Sequence, residues 1–168
     1  MPINILYIED NREAQTNIRR VVDTSHRIVY TEDLLTFDER LYDEEGFNTY
    51  DFLILDLALA MPGDITLDDL REAIPEFGPT YTPTYCEAYI PLIGFDYFNL
   101  VVNKRDETKA MVNEGRVVLL SGHAKKLRDK EIFTQQKFPN VTLIDRGEKG
   151  AYNELLKIIK TIEERLHN

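Results

Sequence analysis

The chain has 168 residues, 30 acidic against 20 basic side chains, a formal net charge of −10 and one cysteine, Cys86. That length suits one domain with its own core, and the acidity argues against sequence-independent binding of nucleic acid or docking on anionic lipid, both of which need basic groups. A single cysteine excludes an intrachain disulfide and suits a reducing, cytoplasmic setting; the start MPINILYIED lacks the basic region and cleavage site of a secretory leader, and no apolar run approaches the ~20 residues of a membrane span.

Residues 3–8 (INILYI) are aliphatic and β-branched and read as a buried strand. Asn11 is placed to cap a helix in which Ala14, Ile18, Val21 and Val22 recur at helical spacing. RIVYT (27–31) reads as a second strand, residues 33–45 as a helix with Leu34, Leu35, Phe37 and Leu41 on its apolar side, and YDFLILDL (50–57) as the third and most hydrophobic strand. Residues 62–91 then carry five of the seven prolines, with Tyr81, Tyr85, Tyr89 and Cys86. LDDLREAI (67–74) reads as a short helix there, and the prolines predict no other regular element. Regularity resumes with a helix at 94–102, its inner side formed by Phe95, Phe98, Val101 and Val102, and a further turn or two at ETKAMV. RVVLLS (116–121) is the fourth strand, 124–137 an amphipathic helix, VTLID (141–145) the fifth strand, and 151–166 a last helix carrying Leu155, Leu156, Ile159, Ile162 and Leu166.

Strands that alternate with helices and are apolar on both faces predict an α/β fold with a covered parallel sheet. The expected organisation is a single domain over 1–168, with 62–91 as an insert between the third strand and the third helix.

Ligands of open parallel sheets sit beyond the carboxyl ends of the strands. There the sequence puts Glu9 and Asp10 after the first strand and Asp56 at the end of the third, inside the apolar run FLILDLALAMPGD. Ser121 and Gly122 follow the fourth strand, and Asp145, Arg146 and then Lys149 the fifth. A buried carboxylate needs a partner. Three converging carboxylates repel one another, a divalent cation relieves the conflict, and a small set of hard oxygen ligands suits Mg²⁺. A hydroxyl and a cation on the same rim suit a phosphoryl group. Taken singly, an acid after a strand is as readily a helix cap or a strand end; joint placement at successive strand ends is what marks a site. His26 and His167 lack metal-ligand spacing, and His123 reads as a turn residue.

ILYIEDN, FLILDL…MPG, VVLLSGHA and the basic residue after VTLID resemble the receiver domain of two-component response regulators, over nearly the whole chain outside the insert. The resemblance implies a flavodoxin-like, doubly wound five-stranded parallel sheet in the order 2-1-3-4-5 with helices on both faces. It implies that Asp56 is the phosphoacceptor. Glu9, Asp10 and Asp56, with the backbone carbonyl of Ala58, would hold Mg²⁺. Ser121 would hydrogen-bond the phosphoryl oxygens, and a basic residue would pair with the carboxylate and the transferred group. Arg146 holds the strand-end position for that role, whereas Lys149 and Gly150 resemble the family's Lys-Pro pair three positions later. Glycines at 147 and 150, which let the loop fold back, favour Lys149.

Some positions depart from the family. Leu143 stands at its aromatic switch position, Pro62 stands six positions after Asp56, and Asp56 and Ser121 are 65 positions apart. A long ordered segment in a compact domain is usually functional, and the tyrosines of 62–91 suit a docking surface as well as a flap over the sheet. The expectation is a stand-alone, cytoplasmic receiver in a phosphorelay. It would take its phosphoryl group from a sensor histidine kinase or phosphotransfer protein and signal to a downstream protein target, with no nucleic-acid or membrane partner. It would phosphorylate itself rather than turn over a substrate. The alternatives are a degenerate receiver acting as a phosphorylation-independent interaction module, and a Mg²⁺-dependent phosphohydrolase. The hydrolase commonly carries an acid two positions after its nucleophile, where this chain has Ala58.

Overall fold

A computed structural model describes residues 1–22, 24–42, 49–87 and 89–168. Its first part alternates strand and helix: β1 (Asn4–Ile8), α1 (Arg12–Val21), β2 (Arg27–Thr31), α2 (Leu34–Tyr42) and β3 (Phe52–Leu55). The Asn11 side chain caps α1, accepting from the backbone N–H groups of Glu13 (2.9 Å) and Ala14 (3.2 Å), two donors that the first turn of a helix otherwise leaves unpaired. The expected end of the second helix, at 43–45, lies outside the described residues. After β3 come α3 (Leu67–Ala73), a 3₁₀ turn (Pro75–Phe77) and a hairpin of β4 (Tyr85–Glu87) and β5 (Ile90–Pro91). Next is α4 (Ile93–Tyr97), which continues as a π-helical stretch (Phe98–Val102), and then α5 (Asp106–Asn113). The chain finishes with β6 (Val117–Ser121), α6 (Ala124–Asp129), β7 (Thr142–Asp145) and α7 (Ala151–His167).

Five of the strands form one parallel sheet in the order β2-β1-β3-β6-β7. Counting these strands alone, that is the flavodoxin-like order 2-1-3-4-5. The alternation of side chains divides the core between its faces. Ile5, Tyr7, Phe52, Ile54, Val118, Leu120 and Ile144 pack with Ile18 of α1 and Leu155, Ile159 and Ile162 of α7. Leu6, Ile8, Leu53, Leu55, Leu119 and Leu143 pack with Phe37 and Leu41 of α2, Phe95 of α4 and Leu127 of α6. Each fully buried aliphatic side chain contributes about 1.5–3 kcal/mol, so the two-sided burial fixes which residues of each strand face which helix layer. Register then aligns the strand ends: Ile8 lies opposite Leu55, and Ser121 opposite Asp145.

Two expectations are overturned. The proline-rich segment holds more regular structure than its helix, because Tyr85 and Pro91 face each other across the β4–β5 ladder. The ladder is two short edge strands, where a missing N–H is tolerated. The same segment sends Leu70, Ile74, Phe77, Tyr81 and Cys86 into the core on the α2 side of the sheet, while Tyr85 and Tyr89 stay exposed. The helix expected over 124–137 stops at Asp129. Glu131 takes a left-handed backbone conformation (φ 55°), and the N–H groups of Ile132 and Phe133 turn back to the Leu127 carbonyl at 3.0 and 3.1 Å. That turn lets Phe133 and Phe138 stack with centroids 5.4 Å apart, Phe138 meeting Phe98 at 5.3 Å. Burying two aromatic rings outweighs a further turn of polar helix.

Candidate active site

The site is built where β1 and β3 end side by side. The Asp56 N–H donates to the Ile8 carbonyl (3.1 Å), which sets the first residue beyond β3 against the first residues beyond β1. Glu9 is fully buried, Asp56 is 2% exposed and Asp10 is half-buried. One carboxylate oxygen from each of the three lies within 4.8 Å of the others.

Each acid is held by its own contacts. Glu9 Oε1 accepts from the Asn11 N–H (3.0 Å), and Oε2 accepts from the Tyr7 hydroxyl (3.0 Å) and from Arg146 Nη1. Gln15 of α1 donates to the Glu9 carbonyl at 2.7 Å. Asp56 Oδ1 accepts from the N–H of Leu57 (2.8 Å). Asp10 Oδ2 accepts from the N–H of Ala60 (2.8 Å), fastening to β1 the segment that carries Ala58. On the other side the Gly94 N–H donates to the Leu57 carbonyl at 3.1 Å. Gly94 is required there: a Cβ would lie 2.0 Å from the Asp56 carbonyl oxygen, inside any permissible contact.

The electrostatics follow from burial. Desolvation first, and then the neighbouring Glu9 charge, push the Asp56 carboxyl well above the ordinary range, with Arg146 opposing. Burial likewise raises Glu9, against the pull of Arg146 and its hydrogen-bond donors. Arg146 remains cationic, its charge favoured by Asp56 and Glu9 despite partial burial. Hard carboxylate oxygens at this spacing, two of them on groups that resist ionisation when alone, fit a divalent cation such as Mg²⁺.

Arg146 reaches this cluster from the far side of the sheet. Its N–H donates to the Ser121 carbonyl (3.0 Å), continuing the β6–β7 pairing one residue beyond the strand, and its guanidinium passes Gly122 to reach Glu9. Ser121 is fully buried at the same lip, and its hydroxyl accepts from the His123 N–H (3.1 Å). Of the residues expected from the sequence, Glu9, Asp10, Asp56, Ser121 and Arg146 therefore stand on adjoining strand ends, with Ala58 on the segment tied to Asp10. Lys149 stays exposed and forms none of the ion pairs seen among the described residues. Beside the cluster, an open groove of about 380 Å³ is lined by Asn11, Asn17, Gly122, Arg146, Gly147 and Tyr152, among others.

Three contributors were missed by sequence reasoning. Tyr7 was detectable, since it stands two residues before Glu9 on the same face of one strand. Gln15 and Gly94 carry no signal that spacing could expose.

No family model matches the chain, and no curated protein matches it. Among solved structures, the chain is similar to the non-phosphorylated HemR receiver domain from Leptospira biflexa at 18% identity. The match covers 96% of this chain and 94% of that one, with a TM-score of 0.47. Among the described residues no helix is long and apolar enough to cross a membrane.

Proposed function

We propose that the chain is a receiver domain of the two-component type, which accepts a phosphoryl group on Asp56 and signals through protein contacts. The observation that carries this reading is the convergence of Glu9, Asp10 and Asp56 within 4.8 Å at the carboxyl lip of a flavodoxin-like sheet, with Arg146 against them. In the proposed reaction an ionised Asp56 oxygen attacks phosphorus. The P–N bond of a phosphohistidine, or the P–O bond of an acyl phosphate, breaks, and its electron pair leaves with the donor; the product is an aspartyl acyl phosphate. Glu9, Asp10, Asp56 and the Ala58 carbonyl are the groups that would hold Mg²⁺. A bound divalent cation supplies neutralisation of charge on the phosphoryl oxygens. The remaining work falls to the chain's own groups: the Leu57 N–H orients Asp56, Arg146 offers a planar fork to the phosphoryl oxygens, and the Ser121 hydroxyl is a further donor.

The donor would be a sensor kinase or phosphotransfer protein and the recipient of the signal another protein, with neither nucleic acid nor membrane as partner and the cytoplasm as compartment. A second reading, a degenerate receiver that binds its partner without phosphorylation, is favoured by one observation: Glu9 already has a counter-charge in Arg146. The test is incubation with MgCl₂ and acetyl phosphate, read by intact-protein mass. A one-phosphate gain that disappears in Asp56→Asn is the expected result, and no adduct under any condition selects the degenerate reading.

A further inference from the structure

Arg146 stands where it can do two things that exclude each other. Glu9 has no exposure, and both of its oxygens are already engaged, Oε1 by the Asn11 N–H and Oε2 by the Tyr7 hydroxyl and Arg146. Of these donors only Arg146 carries a charge, and its guanidinium cannot shed a proton at any ordinary pH. A divalent cation drawn to Glu9, Asp10 and Asp56 therefore meets a resident positive charge at the same carboxylate. Two cations sharing one buried oxygen repel strongly at that distance and low dielectric. There is space for the guanidinium to leave: Gly122 offers no side chain, and even a Cβ there would lie 3.8 Å from Arg146 Nη2. The groove that Arg146 lines opens on the α1 side.

We infer that Arg146 is a resident counter-ion that competes with the divalent cation for Glu9, and that cation binding releases its guanidinium toward the position a phosphoryl group would take. This rests on the cation reading of the site. Arg146 is thus a positioning residue for the metal state: it neutralises Glu9 in the metal-free protein, and its N–H groups become free to hydrogen-bond phosphoryl oxygens only when the exchange has occurred. Cation affinity is lowered by the cost of breaking the Arg146–Glu9 pair.

The experiment titrates the full chain with MgCl₂ by calorimetry, comparing wild type with Arg146→Gln, and follows arginine Nε–Hε signals of the wild-type protein by NMR. Tighter binding by tenfold or more in R146Q is expected. The Arg146 signal, assigned by its absence in R146Q or Arg146→Lys, is expected to lose its protection from exchange as Mg²⁺ saturates the wild type. Equal or weaker binding in R146Q, or an Arg146 signal unmoved at saturation, overturns the competition while leaving the cation site standing. Absence of binding to both proteins at millimolar Mg²⁺ removes the cation reading itself. Should R146Q fail to fold, the wild-type signal decides the matter, with R146K supplying its assignment.

Discussion

Replacing Asp56 by Asn is expected to make the metal-free protein more stable at neutral pH. Asp56 is 2% exposed, and burial beside Glu9 holds its carboxyl well above the ordinary range. From the unfolded-state value near ~4 up to the raised value, the folded protein keeps a proton that the unfolded chain has released. This contribution to stability is fully present below the unfolded value and is lost as pH rises toward the folded one, at about 1.4 kcal/mol per pH unit for one proton. Asn keeps the shape, still accepts from the Leu57 N–H and offers an N–H to Glu9, without ever ionising. In EDTA, Asp56→Asn should match wild type near pH 4 and exceed it by at least about 1 kcal/mol at pH 7.5, raising Tm by about 2–4 °C for a chain of this size. Mg²⁺ should narrow the gap, because a ligand at ten times its Kd stabilises wild type by about 1.4 kcal/mol and the variant has lost a ligand. Urea unfolding across pH 4–8, with and without Mg²⁺, measures both effects. A variant that is less stable than wild type at pH 7.5 in EDTA, with an unchanged pH slope, would refute the account of Asp56 as an ionisation held back by burial.

Two other substitutions probe what surrounds the acid. Gly94→Ala places a Cβ 2.0 Å from the Asp56 carbonyl oxygen; over-packing of this kind costs about 1–3 kcal/mol, so urea midpoints should fall and acetyl phosphate labelling of Asp56 should slow, whereas wild-type behaviour in both would show that α4 does not position the acid. Tyr81→Phe removes the hydroxyl that donates to buried Asp96 Oδ2 at 2.6 Å, leaving the Thr84 N–H at 2.8 Å as that oxygen's remaining donor. A cost of about 1–3 kcal/mol should appear as faster proteolysis within 78–91, with amide exchange in β1 and β3 unchanged.

The sheet was legible because its strands are continuous apolar runs bounded by acids and turn residues, a pattern that covered parallel strands impose. The acids were legible for the related reason that a charge closing such a run must sit at the strand's mouth. What failed depended on contacts between distant residues. Nothing near 130 announces that Phe133 and Phe138 will stack against the π-helical stretch and end α6 early. Proline count argued against a regular element at 85–91, yet a hairpin forms there, anchored by Cys86 in the core and by an ion pair between Glu87 and Lys126. That Arg146 pairs with Glu9 follows from one backbone hydrogen bond, from Arg146 N–H to the Ser121 carbonyl, which carries the strand direction one residue further and sets that side chain along the lip. Glycine spacing holds no record of it.

The segment leaving β3 is tied down at Ala60, through Asp10, and the chain comes back at Gly94 onto Leu57. Departure and return thus share one anchorage, and everything between them is an excursion hung from a fixed clasp. Lengthening such an excursion adds closure entropy only logarithmically, about 0.6 kcal/mol for each doubling. This stretch of chain therefore tolerates added length at its exposed positions such as Tyr85 and Tyr89, whereas trimming it would remove Leu70, Ile74, Phe77, Tyr81 and Cys86 from the core.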